Sequence, residues 1–371
     1  MATERIGDGV FSPSFGAARD RFRQAAKALG ATPQPFQIEG RGPSGEDLTI
    51  DVVAIGAAQP AKVVVVSSGI HGVEGFFGSA IQTSWLEGVA RSGEELPAET
   101  AVVLLHALNP YGFAWRRRFN ENNVDLNRNF LLPGEAYDGA PREYEELNWF
   151  INPKTPPPRL SLFLPLAAFV MLRYGKRTVQ AAVSQGQHKF EDGLFFGGKR
   201  AEAATRLVQA QFASWVGQAP RVLHLDFHSG LGRFGVCRLL SVEPTGSPRG
   251  RWLAQRFAPR RVEPIGEGVA PNTARGTMGL WLNRTLGAER LYAFLAPEFG
   301  TYCAIRVFEA LRDENRVHRR PEHPAYEKIK TRLVEVFCPK SAAWREAVVK
   351  EGLDLIRKAA EVCQDESWEA H

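Results

Sequence analysis

The chain has 371 residues, 44% of them hydrophobic and 23% charged, with a formal net charge of +5 and a pI of about 9.1. That length and balance suit an ordinary soluble protein able to bury a large core without staples. Cys237, Cys303, Cys338 and Cys363 form no Cys-x-x-Cys pair, which argues against a cysteine zinc finger and a disulfide scaffold and fits a reducing compartment. The basic excess includes Arg116-Arg117-Arg118 and Arg260-Arg261 and can attract anionic substrates; with no accompanying binding motif, no nucleic-acid partner is expected.

From the N-terminus, Met-Ala-Thr-Glu-Arg is followed by no apolar core, so no secretory signal peptide is expected and the chain reads as cytoplasmic. Phe15, Ala18, Phe22, Ala25, Ala26 and Leu29 recur at helical spacing, predicting a helix over 14–29. Leu48 to Ile55 reads as a strand. Val63 to Val66 is a β-branched run of the kind buried on both faces of a sheet, and Ala101 to Leu105, Arg221 to Phe227 and Leu291 to Leu295 repeat its character. Helical patterns lie between them at Phe76–Val89, Glu202–Val216 and Arg251–Phe257, and the chain from about Tyr326 to Cys363 is mostly helical. This alternation predicts an α/β layered fold with a largely parallel or mixed sheet, and the length allows one large domain or two smaller ones.

Residues 131–190 break the rhythm. They carry Pro153 and Pro156-Pro157-Pro158, then an apolar stretch from Leu160 to Leu172. That stretch contains Pro165 and falls short of the roughly 18 to 20 residues needed to span a bilayer, so it reads as a buried or surface-docked helix and no membrane partner is expected. The segment is expected to be an insertion over the sheet edge, forming a lid, a pocket wall or a purely structural support.

Four segments carry chemistry. Gly69-Ile70-His71-Gly72-Val73-Glu74 follows the Val63–Val66 strand, and ligands in open α/β sheets gather at strand carboxyl ends. His71 and Glu74, three apart, can both face one ion, and imidazole and carboxylate are ordinary zinc ligands. By itself, His-x-x-Glu also describes many surface loops. The second segment begins at the Asn109-Pro110-Tyr111-Gly112 turn and concentrates arginines and asparagines through Arg116-Arg117-Arg118-Phe119-Asn120 to Val124-Asp125-Leu126-Asn127-Arg128-Asn129-Phe130. Arginine forks can hold a carboxylate through two parallel hydrogen bonds, although arginines also solvate loops. In Leu223-His224-Leu225-Asp226-Phe227-His228, alternation places His224, Asp226 and His228 on one face, with His228 at the strand end as a third metal ligand. His224, further back, reads as a core histidine or one that supports a ligand. Lastly, Glu298 follows an apolar strand in Phe294-Leu295-Ala296-Pro297-Glu298, where a carboxylate can serve as general base and then acid, or simply sit in solvent.

Taken in order, these blocks resemble the zinc carboxypeptidase (M14) family of metallopeptidases. The phrases His106-Ala107-Leu108-Asn109-Pro110-Tyr111-Gly112-Phe113 and Gly193-Leu194-Phe195-Phe196-Gly197-Gly198 resemble its DUF2817 branch. The resemblance implies a single α/β domain over 1–371 with a mixed, mostly parallel central sheet flanked by helices, one zinc ion on His71, Glu74 and His228 with a position left for water, and Glu298 as base and acid. It implies that Asn127 and Arg128 hold a substrate's terminal carboxylate, that Asp125 orients His71, and that an arginine steadies the oxyanion. Arg118 fits that last role through Arg118-Phe119-Asn120, with Arg116 as rival. The chain departs from the pattern in having no tyrosine between His228 and Tyr292; the corresponding loop, Asn272-Thr273-Ala274-Arg275-Gly276-Thr277, offers Arg275 as an anion contact instead. The expected activity is that of a metallocarboxypeptidase acting on a peptide or small amino-acid conjugate with a free carboxylate. The alternatives are an N-acyl amino-acid deacylase of the aspartoacylase or succinylglutamate desuccinylase type, and a metal-binding protein without catalysis.

Overall fold

A computed structural model describes residues 8–158, 160–265 and 275–370. Its centre is one eight-stranded sheet in the order β1-β2-β4-β3-β5-β8-β6-β7. The strands are β1 (Gln34–Arg41), β2 (Asp47–Gly56), β3 (Lys62–Ser68), β4 (Thr100–His106), β5 (Arg221–Gly230), β6 (Cys237–Ser241), β7 (Val262–Pro264) and β8 (Leu291–Gly300). β4, β3, β5 and β8 run parallel through the middle. β2 and β6 flank them antiparallel. The sheet is thus mixed with a parallel centre, as the alternation of strand and helix patterns predicts.

The period-two rule explains why the centre is so apolar. Val64 and Val66 point into one core and Val63 and Val65 into the other, and all four are buried. On the first face lie α1 (Phe15–Ala28), α2 (Gly75–Ser92), the short α3 (Pro110–Ala114), α8 (Pro248–Arg256), α10 (Ala304–Val317), α11 (Tyr326–Phe337) and α12 (Ala342–Val362). Helices α7 (Ala203–Val216) and α9 (Met278–Thr285) cover the second. Ser14 caps α1 by accepting the Ala17 N–H at 3.2 Å, which fixes its start beside Phe15.

Three strands carry no clear sequence signal. β1 contains Pro35 and only Ile38 is buried along it, while β6 and β7 are short; all lie at or near the sheet margins, where burial imposes little pattern. β8 also corrects the sequence reading: it runs on through Pro297 to Gly300, so Glu298 lies within the strand and not beyond it. Its pairing with β5 lapses opposite the proline and resumes with Glu298 beside His228.

Residues 131–190 contain α4 (Arg142–Ile151), α5 (Phe163–Tyr174) and α6 (Lys176–Ser184). The expectation that they cover a sheet edge is corrected: α4 and α5 dock on α10. Phe150, Phe163 and Phe308 form a cluster with ring centroids 5.9 to 6.1 Å apart. The Arg312 guanidinium lies 5.4 Å from both Phe150 and Phe163, and its Nε donates to the Phe150 carbonyl at 2.7 Å. The four cysteines are free thiols. Among the described residues no helix is long and apolar enough to cross a membrane.

Candidate metal and catalytic site

Parallel strands deliver their carboxyl ends to one edge of the sheet, and the site forms there. After β3 the chain turns through Gly69 to His71 and a 3-10 turn at Gly72–Glu74 that leads into α2. Gly72 is a steric requirement: a Cβ there would lie 2.1 Å from the Gly112 backbone. That close approach joins the His71–Glu74 turn to the next loop, because Gly72 N and Val73 N donate to the carbonyls of Arg118 and Arg117 at 3.1 and 2.8 Å. Asn109 holds the other side, accepting from Gly112 N at 2.8 Å and donating to Arg118 O at 3.2 Å.

His71, Glu74 and His228 place one donor atom each within 4.8 Å of one another, all buried, so together they can hold one metal ion. The two Nδ1 atoms face the Glu74 carboxylate, at 2.9 Å from His71 and 3.2 Å from His228. The two Nε2 atoms face aspartates, at 3.3 Å from Asp125 to His71 and 2.7 Å from Asp226 to His228. At His228 the aspartate can hold a proton on Nε2 and leave the Nδ1 lone pair for a cation, the arrangement metal-binding histidines generally need; at His71, Asp125 shares the Nε2 side with Arg118. Burial raises the Glu74 carboxyl, but His71 and His228 overcome it and bring Glu74 down to about 2. Burial likewise opposes ionisation of Asp125 and Asp226, which Arg118 and His71, and His228, respectively outweigh. Burial lowers His228, yet Asp226 and Glu74 hold it well above its ordinary value. Buried carboxylates that hold their charge so firmly, around two imidazoles, fit a cation in their midst.

Asp226 was not assigned a role from sequence, although the shared face of His224, Asp226 and His228 was the available signal. Its other oxygen accepts from Ser67 at 2.6 Å, Ser67 Oγ lies 2.7 Å from His224 Nε2, and His224 Nδ1 lies 2.8 Å from the Tyr292 hydroxyl. His224 therefore stands behind the site, and burial pushes it down to about 4.

Glu298 lines the same cavity, about 330 Å³ in volume, with His71, Glu74, His228, Arg118, Asn127 and Arg128. It accepts from Leu231 N at 2.8 Å, and burial together with Glu74 pushes it up to about 7. A cation beside Glu74 would cancel that repulsion. The three arginines in sequence fan apart, helped by a left-handed backbone at Arg116 (φ 50°). Arg116 leaves the cavity and binds Glu327 through both carboxylate oxygens, at 2.9 and 3.0 Å. Arg117 is buried against Asn123. Arg118 enters the cavity over the Phe195 ring, donating to Asp125 at 2.9 Å, with Nη2 2.6 Å from His71 Nε2. Of the two rivals, only Arg118 is near the His71–Glu74–His228 cluster.

Asp125 accepts the Asn127 N–H at 3.1 Å and so starts the turn that carries Asn127 and Arg128. Arg128 is half-buried, and desolvation lowers its pKa. It donates to the carbonyls of Asn127 and Ser184 at 2.7 and 2.8 Å, its Nε has no partner, and no carboxylate pairs with it among the described residues. Asn127 Oδ1 accepts from Met278 N at 3.1 Å. Arg275 lies outside the cavity lining, 3.7 Å from Glu135, and 272–274 of the expected loop lie outside the described residues. The cavity's apolar wall, including Val183, Val307, Phe308, Leu311 and Phe337, was not read from sequence, since each residue looks like ordinary helix core until the helices are placed.

The architecture is the zinc carboxypeptidase fold. Thrombin-activatable fibrinolysis inhibitor superposes with a TM-score of 0.50 at 12% identity, covering 95% of this chain and 77% of that one. Carboxypeptidase A from Helicoverpa armigera gives 0.45 at 14% identity over 86% and 73%, and murein-tripeptide amidase MpaA from Escherichia coli O157 gives 0.35 at 17% over 78% and 95%. No curated protein matches by sequence. Residues 11–351 match the model of DUF2817, a protein family of unknown function, and the chain belongs to that family.

Proposed function

We propose that the chain is a zinc-dependent amide hydrolase, a metallocarboxypeptidase acting on a peptide or small amino-acid conjugate. The observation that carries this reading is one cavity in which the His71, Glu74 and His228 donors, the Glu298 carboxylate and the Arg128 guanidinium, its Nε unpartnered, converge. Two imidazoles and a carboxylate suit zinc, although other divalent ions accept the same donors. When bound, such an ion supplies Lewis-acid polarisation and makes water nucleophilic near neutral pH.

The side chains divide the remaining work. Glu298 takes the proton from attacking water and returns it to the leaving nitrogen. Arg128 with Asn127 holds the substrate's terminal carboxylate, for which a half-buried guanidinium with no carboxylate in direct contact is a ready partner. Arg118 steadies charge on the scissile carbonyl oxygen. In the present arrangement Arg118 and Asp125 compete for His71 Nε2, one able only to donate, the other only to accept. A His71 that offers its Nδ1 lone pair keeps its proton on Nε2 and donates a hydrogen bond from it to Asp125, which frees the Arg118 Nη2 group for substrate. Asp125 and Asp226 orient the two histidines.

The apolar wall of the cavity favours a second reading, an N-acyl amino-acid deacylase whose acyl group lies against Val307, Phe308, Leu311 and Phe337. The deciding experiment incubates zinc-loaded protein with a panel of short peptides and N-acyl amino acids, with a chelated control, and reads products by mass spectrometry. Chelator-sensitive release of single C-terminal residues is expected. Release of free acyl acids moves the chain to the deacylases, and no turnover by metal-loaded protein on any substrate leaves a metal-binding protein without catalysis.

A further inference from the structure

From Leu147 to Phe190 the chain has no aspartate or glutamate, whereas Lys154, Arg159, Arg173, Lys176, Arg177 and Lys189 supply positive charge. Within this stretch α5 is apolar on both sides. Phe163, Ala167 and Val170 are buried inward, while Leu164, Phe169, Met171 and Leu172 are exposed outward. Leu160 and Leu162 extend the exposed row ahead of the helix; Leu160 is 84% exposed, Leu162 72% and Leu172 89%. Single exposed apolar side chains are common, but a contiguous set marks a contact surface. Arg173, Lys176 and Arg177, all exposed, follow at its C-terminal end.

Charge separates the two obvious occupants. A symmetric contact with a second copy would set this basic segment against itself with no carboxylate of its own to neutralise it, and Glu309, which accepts from Ser161 Oγ at 2.8 Å, is already paired with Arg332. An anionic lipid surface accepts both features: apolar side chains enter the boundary of the acyl region and the cations meet phosphates. At 12 residues, α5 is ~18 Å long, too short to span but long enough to lie in the interface. The sequence-based expectation of no membrane partner rested on spanning length, which interfacial docking does not require.

We propose that α5, with Leu160 and Leu162 before it, docks the protein on an anionic lipid surface. The docked face adjoins the metal cavity: α10 carries α5 on Phe308 and also walls the cavity, and α6 lends it Val183 and Ser184. The proposal does not depend on hydrolysis, because metal-stripped protein presents the same face.

The test is co-sedimentation of the full chain with phosphatidylcholine vesicles, with and without phosphatidylglycerol, at low and high salt. Binding is expected to the phosphatidylglycerol vesicles at low salt, to weaken as salt screens the cations, and to survive chelation. Leu164→Asp with Leu172→Asp lowers partitioning ~10-fold or more. Arg173→Glu with Lys176→Glu and Arg177→Glu lowers it on the order of 100-fold. Both variants keep the wild-type circular dichroism spectrum and melting temperature, since the altered side chains are exposed. The proposal is overturned if the wild type ignores phosphatidylglycerol vesicles at low salt, or if the leucine variant partitions as well as the wild type. It is equally overturned by a concentration-dependent dimer that Leu172→Asp dissolves while vesicles recruit nothing, which assigns the face to a second copy.

Discussion

The carboxyl ends of β3, β5 and β8 and the outer face of α5 invert the usual pattern of burial in opposite senses. At the strand ends, Glu74, Asp125, Asp226 and Glu298 are buried with His71 and His228. On α5, Leu164, Phe169 and Leu172 are exposed. Buried charge persists where each group has a partner or awaits one; exposed apolar surface persists where something covers it. The proposed metal and lipid contacts would account for both departures, and each can be broken separately.

The largest effect belongs to the strand ends. Glu298→Gln should lower turnover by about 10²- to 10⁴-fold while leaving bound zinc unchanged; turnover at the wild-type rate would remove Glu298 from the mechanism. The two sides of α5 should differ next. Phe163→Ala, in the aromatic cluster on α10, should cost about 3–5 kcal/mol in denaturant unfolding. Leu172→Asp, on the open side, should change stability by no more than about 0.5 kcal/mol. Similar costs for both would show that α5 has no free face.

Acid should loosen the sheet through two buried histidines, His106 in β4 and His224 in β5. Burial pushes His106 down to about 4 as it does His224. His106 is bonded to Ser79 at 2.8 Å and stacked on Phe22. Because these folded values lie below the unfolded one, the unfolded chain takes up the protons first. The associated stability is complete above pH ~6.5 and is lost as pH falls through ~4, worth roughly 3 kcal/mol per histidine. His106→Gln should flatten that slope in unfolding free energies measured across the window; an unchanged slope would assign it elsewhere.

Two smaller effects sharpen the site itself. Arg128→Ala should reduce kcat/KM about 10- to 100-fold for substrates with a free terminal carboxylate, and should leave amidated analogues untouched. A uniform loss would make Arg128 a structural residue. Asp226→Asn should weaken zinc affinity about 10- to 100-fold in a chelator competition, and wild-type affinity would show that His228 needs no help from it.

Local chemistry made much of the site legible. His71 and Glu74 sit three residues apart on one turn, Asp125 to Arg128 on another, and His228 ends a strand whose alternation is plain in the sequence. Arg116, Arg118 and Arg275 were not separable in that way. What divides them is a left-handed backbone at Arg116, Glu327 more than two hundred residues away, and Glu135 near Arg275.

By itself the sequence determined the α/β class, the parallel centre and the order of the blocks that form the candidate site, because strand alternation, buried β-branched runs and strand-end motifs act over a few residues. Only the tertiary structure decided that Asp226 backs His228, that Glu298 lies within β8 beside His228, that Arg118 rather than Arg116 enters the cavity, and that α5 leaves leucines exposed. Each of those depends on which distant segments pack together, and the burial that sets partners, charge states and exposed faces exists only once they do.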